Sequence, residues 1–211
     1  MNTVLRKAIP NEIFDYQQAM SALSKYRSPR AHLTQLMRKK HIIRIRKGLY
    51  VFGDDLRRRA VVPELLANLI YGPSYISLEY ALSYHGMIPE QVSVLTSVTT
   101  GRSRSFDTPL GRFSYRQISA SAFCTGFTRI ELDGISFLIA LPEKALADKL
   151  AADRQGDLRS RRAMLSYLLD NQRIEKDTLL QLSSEMLHDI ALRYKSRKLG
   201  ILTQTILHLK G

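Results

Sequence analysis

Residues 28–52, SPRAHLTQLMRKKHIIRIRKGLYVF, pass from a helical to a strand period inside one basic stretch, and that passage decides how the N-terminal part folds. Ser28 is placed to cap a helix, and Pro29 suits its first position, where a backbone N–H would lack a partner in any case. At about 100° per residue, Leu33, Leu36 and Met37 share one face while Ala31, Thr34, Gln35 and Arg38 share the other. Beyond Lys40 the period drops to two, with Ile43 and Ile45 on one side and Arg44 and Arg46 on the opposite one. Lys47-Gly48 turns the chain, Gly48 supplying the backbone freedom of a tight hairpin, and Leu49–Phe52 returns as an aromatic, β-branched strand. A basic amphipathic helix followed by a basic hairpin predicts a winged helix-turn-helix. Its helix would enter the major groove of double-stranded DNA and its wing would follow the phosphates. The candidate contacts are Arg30, Thr34, Gln35, Arg38 and Lys39 on the helix and Arg44, Arg46 and Lys47 on the wing. The competing reading is a solvated basic surface, which is what a charge run by itself usually is.

The distribution of charge bears on that choice. Residues 1–60 hold 14 Lys and Arg against 4 Asp and Glu, a net +10, whereas residues 61–211 hold 18 against 15, a net +3. A positive field concentrated on the first quarter attracts a polyanion over roughly a Debye length, about 8 Å in physiological salt.

A chain of 211 residues is long for one core and comfortable for two. The expected division is a DNA-binding domain over 1–60 and a second domain over 61–211, entered through a helical linker at about 61–72. The lone Cys124 supports no intramolecular disulfide, and no set of Cys and His has zinc-ligand spacing, so no metal or cofactor is expected. The N-terminal MNTVLRKAIPNEIFDY lacks the apolar core of a signal peptide, and nowhere do about 18 apolar residues run together. The expectation is a cytoplasmic protein with no membrane partner.

Ile13, Phe14, Tyr16, Met20 and Leu23 follow Pro10-Asn11 in a helical pattern that ends near Lys25, as one helix or a pair. Gly53-Asp54-Asp55 is turn chemistry, and Arg57-Arg58-Arg59, open to DNA or to solvent, leads to a helix from about Pro63 to Tyr71. After the Gly72-Pro73 break, SYISLEYALSYHG predicts a helix capped by Ser77, with Leu78, Ala81 and Leu82 buried and a stop at Gly86. VSVLTSVTT, RSFDT, GRFSYRQI, FTRIEL and GISFLIAL then predict a small, mostly antiparallel sheet, with hairpin turns at Asp107–Gly111 and at Asp133-Gly134. From Pro142 the pattern is helical again: PEKALADKLAAD, then 158–170, 176–182, 184–195 and 201–209, with Leu187, Ile190, Ala191 and Tyr194 on one core stripe. The fold class expected is therefore α+β, a winged helix-turn-helix followed by a mixed domain that ends in helices.

Candidate chemistry is sparse. His85 at a helix end reads as a catalyst, a ligand or a cap on the last carbonyls; Glu79 as an acid or as a carboxylate suited to a helix N-terminus. Glu143 and Lys144 lack the spacing of a nuclease triplet, and no nucleophile elbow or phosphate-cradling loop occurs, so no enzyme is expected. Arg102, Arg104, Arg112 and Arg116 make either a second basic face or solvated strand-edge charges, and Arg159, Arg161 and Arg162 read as a solvated helix face.

Five stretches taken in order, RIRKGLYVF, YISLEYALSYHGMIPE, TTGRSRSFDTPLGRFSYRQI, IALPEKALADKL and SRKLGILTQ, together resemble the abortive-infection type IV antitoxin family of transcriptional regulators. The resemblance runs from about 30 to 205, and its most specific part is S-L-E-x-A-L-x-x-H-G followed by P-E-K-A-L. It implies a winged helix joined to an antitoxin domain, repression of a shared operon at an operator of inverted repeats, and a neighbouring nucleotidyltransferase toxin that this protein counters. The positions it carries over are Arg44, Arg46, Lys47 and Gly48 of the wing and Ser77, Glu79, Tyr84, His85 and Gly86 of the second domain. The first helical segment departs from the pattern. A stand-alone regulator without a toxin is the alternative, and a nucleic-acid-processing enzyme comes third.

Overall fold

Asp15 settles how the N-terminal segment folds. Its carboxylate accepts from the Gln18 backbone N–H at 2.8 Å, and the Asp15 N–H donates to Gln18 Oε1, also at 2.8 Å. This capping box fixes a helix start at residue 16, so the residues before it are free to be extended. The computed structural model describes residues 3–132, 134–153 and 158–211 as a mixed α+β chain. It opens with α1 (Thr3–Ala8), β1 (Ile13–Asp15), α2 (Tyr16–Ala22), α3 (Pro29–Arg38), β2 (Ile42–Arg46) and β3 (Leu49–Phe52). The expected helical run over 11–26 is therefore corrected to a strand and one helix. Ile13 and Phe14 fit a helical period, but a three-residue strand is too short to display a period of its own.

The three strands form an antiparallel sheet in the order β1-β3-β2. Alternation along it separates two cores. Phe14, Ile42, Tyr50 and Phe52 point to the helices and pack with Leu5, Leu23, Leu33 and Leu36. Ile13, Ile45, Leu49 and Val51 point the other way and join the larger core formed by the rest of the chain. Strand β2 serves both by the same alternation, Ile42 facing one core and Ile43 and Ile45 the other, and a bulge falls between the exposed Arg44 and Arg46.

The rest continues as α4 (Pro63–Ile70), β4 (Ser74–Ile76), α5 (Leu78–Tyr84), β5 (Leu95–Thr99), β6 (Arg104–Thr108), β7 (Gly111–Gln117), α6 (Ala120–Phe123), β8 (Phe127–Leu132) and β9 (Ile135–Ala140). Helices α7 (Pro142–Ala152), α8 (Arg161–Ser166), α9 (Lys176–Gln181), α10 (Ser184–Tyr194) and α11 (Arg197–Lys210) complete it. The expected helix over 158–170 starts at 161 and passes into a π-helical turn at Tyr167–Asn171. The last helix begins four residues before the expected 201, because Ser196 caps it by accepting from the Leu199 N–H.

The second sheet has six strands in the order β6-β7-β5-β4-β9-β8. The β6–β7 and β8–β9 hairpins and the β4–β5 pair are antiparallel, while β5–β7 and β4–β9 are parallel, so the expected small, mostly antiparallel sheet is corrected to a larger mixed one. The parallel contacts join strands that are not consecutive in the chain, and strand periodicity does not encode them. Thr108 faces Gly111 across the predicted turn, whereas Asp133 of the other turn lies outside the described residues. Helix α4 lies on one face, where the Tyr115 hydroxyl donates to Ala67 O at 2.6 Å. On the other face lie α5 and α7, with Tyr75 stacked on Phe127 beneath them.

Candidate nucleic-acid interface

Helix α3 presents two unlike faces, as its spacing predicts. Leu33 and Leu36 are buried and Met37 half-buried, whereas Ala31, Thr34, Gln35, Arg38 and Lys39 are exposed. Pro29 occupies the first turn, but the Ser28 side chain makes no capping bond. The expected cap is thus corrected, and the turn is held instead by Tyr26 stacked on His32, ring centroids 4.0 Å apart. Arg30 is exposed and its Nε donates to the Tyr16 hydroxyl at 2.9 Å, which ties α3 to the start of α2. Thr34 donates its hydroxyl to Arg30 O at 3.0 Å, so only its lone pairs face outward. Gln35 and Arg38 keep their side-chain donors free of internal hydrogen bonds among the described residues.

On the hairpin, Arg44, Arg46 and Lys47 are exposed, and among the described residues no carboxylate lies within ion-pair distance of them. Gly48 sits at φ +87° with open space around it. Its carbonyl accepts from the Tyr16 N–H at 3.0 Å, which fastens the hairpin tip to α2. Gly53 has a stricter role: a Cβ there would lie 1.9 Å from Lys40 O, and its own N–H donates to His41 O at 2.8 Å. The end of β3 is thereby clamped to the turn that leaves α3. Of the arginine triplet, Arg57 is paired with Asp54, while Arg58 and Arg59 are exposed. Arg6, absent from the sequence reading, is buried against Glu12 at 2.5 Å and lies over the Phe52 ring, bracing α1 on the sheet.

The five motif residues Ser77, Glu79, Tyr84, His85 and Gly86 lie on α5 and its ends, where Ser77, Glu79 and His85 each fasten α5 to another element. Ser77 stands at the cap position, but its hydroxyl donates to Asp148 Oδ2 at 2.6 Å rather than capping α5, which corrects the expectation. Glu79 accepts from Lys149 Nζ at 2.8 Å. His85 donates Nε2–H to Ala140 O at 2.8 Å, so it ties α5 to β9 instead of capping its own helix. Tyr84 is 45% exposed with its ring edge-on to Phe137, and Gly86 ends the helix at φ +66°. Lys144, Asp148 and Tyr194 form the polar centre of this region. Lys144 and Tyr194 both donate to Asp148 Oδ1 beside the Ser77 bond. Burial pushes the Lys144 ammonium down and the Asp148 carboxyl up from their ordinary ranges, and their contact opposes both shifts. The four-residue spacing of Lys144 and Asp148 was visible in the sequence, but nothing there marked the pair as buried.

The two regions meet near Tyr115. Burial holds its hydroxyl well above the ordinary range, and the positive charge of Arg46 opposes that shift, so the β2–β3 hairpin lies within electrostatic reach of β7. Among the described residues no group of three or more His, Cys, Asp and Glu is arranged to hold a metal, and no helix is long and apolar enough to cross a membrane. No family model and no curated protein matches this chain.

Proposed function

We propose that this protein is a DNA-binding transcriptional repressor whose N-terminal 60 residues form a winged helix-turn-helix, and that residues 61–211 act as the antitoxin part of a type IV toxin–antitoxin pair. The observation that carries the DNA-binding reading is the α-β-α-α-β-β order of α1 to β3, with sheet order β1-β3-β2 and an exposed polar face on the second helix of the α2–α3 pair. In a winged helix that helix enters the major groove and the β2–β3 hairpin follows the backbone. Free cations at Lys39, Arg44, Arg46 and Lys47 then engage phosphates, and Gln35 with Arg38 reads base edges.

The antitoxin reading rests on the resemblance carried by YISLEYALSYHG and PEKALADKL, and on the use of Ser77, Glu79 and His85 as fastenings rather than as a convergent catalytic set. The partners proposed are an operator of inverted repeats and, functionally, a nucleotidyltransferase toxin encoded next to this protein. Binding of the full chain to its own upstream region, with footprinting of the protected bases, tests the first half. Identity of the adjacent gene, and growth rescue when it is induced, tests the second and separates it from a stand-alone regulator.

A further inference from the structure

The larger sheet ends on two edge strands, β6 and β8, and each leaves one row of backbone groups without a sheet partner among the described residues. Such a row is a template for another strand, and proteins normally blunt it with charges. The charges on β8 have a particular arrangement. Leu141 N–H donates to Gly126 O at 2.8 Å and continues the register Phe127↔Ala140, Thr128↔Ile139 and so on to Leu132↔Ile135. Bonded and non-bonded pairs alternate in an antiparallel ladder. Thr128, Ile130 and Leu132 therefore bond to β9, while Phe127, Arg129 and Glu131 turn their N–H and C=O groups to the free side.

We propose that β8 is a homodimer interface, pairing antiparallel with β8 of a second copy about a twofold axis through Ile130. Only outward-facing residues can form bonded pairs across the new edge, so the register is restricted to Phe127, Arg129 and Glu131 meeting one another. One register sets Arg129 opposite Glu131 of the second copy, twice by symmetry. The neighbouring registers set Arg129 against Arg129 or Glu131 against Glu131, and directly opposed like charges destabilise a strand pair. The chosen register also lays Ile130 on Ile130 and covers Leu132, which is 58% exposed and otherwise faces water. Within one chain Arg129 and Glu131 approach only to 3.8 Å and remain 65% and 68% exposed, so both are available. Strand β6 lacks this complementarity: its closing pair Thr108↔Gly111 leaves Ser105 and Asp107 facing outward, and Asp107 would meet its own copy or a serine. The pairing is independent of the DNA-binding reading, although an isologous dimer matches a DNA site of inverted repeats.

The test is the mass of the full chain in solution across a dilution series, by sedimentation or light scattering, for wild type, Arg129→Glu, Glu131→Arg, the double exchange R129E/E131R and an equimolar mixture of the two single variants. Wild type is expected to dimerise. Each single variant brings two like-charged pairs together and should weaken the dimer by about tenfold or more. The double exchange and the mixture both restore opposite charges and should recover dimerisation, which a mere loss of folding would not allow. A monomeric wild type at every concentration overturns the proposal. So do single variants that dimerise like wild type, or a mixture that stays monomeric while wild type pairs.

Discussion

Lys144 and Asp148, one turn apart on α7, are ion-paired with each other and both have 0% exposure. Asp148 also accepts from Ser77 and Tyr194, so a single carboxylate fastens the β4–α5 junction and α10 to α7. Gly126 packs directly on this lysine, a Cβ there lying 2.8 Å from Lys144 Cβ. A buried pair gives little net stability over apolar residues of the same shape, but an orphaned member is costly. Asp148→Ala should therefore lower stability by about 3–5 kcal/mol, and the double replacement K144M/D148L should recover a good part of that. Urea unfolding of the full chain measures both. A loss under about 1 kcal/mol for the single change would mean that water or another group reaches Lys144.

The clamp between β3 and the turn after α3 makes a second prediction. Gly53→Ala brings a methyl group against Lys40 O and should cost about 3 kcal/mol or more, because backbone must move. Gly48→Ala meets open space and only bears the strain of its positive φ, about 1 kcal/mol. Unfolding midpoints of the two variants should differ in that order, and equal midpoints would contradict the close approach.

Much of the local fold is legible in the sequence, for identifiable reasons. Helix α3 and the β2–β3 hairpin carry Pro29, a clear apolar stripe and Gly48, so local rules act together on them. Helix α7 likewise announces itself with Pro142 and Glu143. What escaped was non-local or very short: β1, the parallel β5–β7 and β4–β9 contacts, and the second role of Ile13, Ile45, Leu49 and Val51 in the larger core. The Ser77 hydroxyl illustrates the limit. Its cap position follows from local sequence, but its partner is 71 residues away.

On α3, the helix proposed to enter the major groove, Gln35 and Arg38 face outward beside each other with free side-chain donors among the described residues. Gln pairs two-point with adenine and Arg with guanine, each worth about 1–3 kcal/mol of discrimination. In a binding selection on randomised duplexes, Gln35→Ala and Arg38→Ala should each relax preference at one position per half-site. An unchanged preferred sequence would show that another element reads the bases.

Repression and protection should separate. On the proposed function, neutralising Arg44, Arg46 and Lys47 should derepress the operon and leave protection from a toxin encoded next to this protein intact, since these side chains are exposed. Leu82→Ala, at a fully buried position, should cost about 2–5 kcal/mol and lose protection through stability. Growth under induced toxin, with protein levels matched, distinguishes the two. Equal loss of protection by the wing variant would mean that antitoxicity acts through nucleic acid.

The N-terminal cations are proposed to bind DNA phosphates through the β2–β3 hairpin and α3. Because Ile13, Ile45, Leu49 and Val51 pack into the larger core, the full chain is the proper subject of the measurement, rather than residues 1–60 alone. The affinity of wild type and of a triple Arg44→Ala, Arg46→Ala, Lys47→Ala variant for one duplex should be followed from about 50 to 200 mM salt. With about five phosphates engaged, wild type should give a log–log slope near −4.5 and lose affinity several hundred-fold, and the variant's slope should be shallower by about 2.7. A wild-type affinity indifferent to salt, or a variant with the same slope, would contradict it.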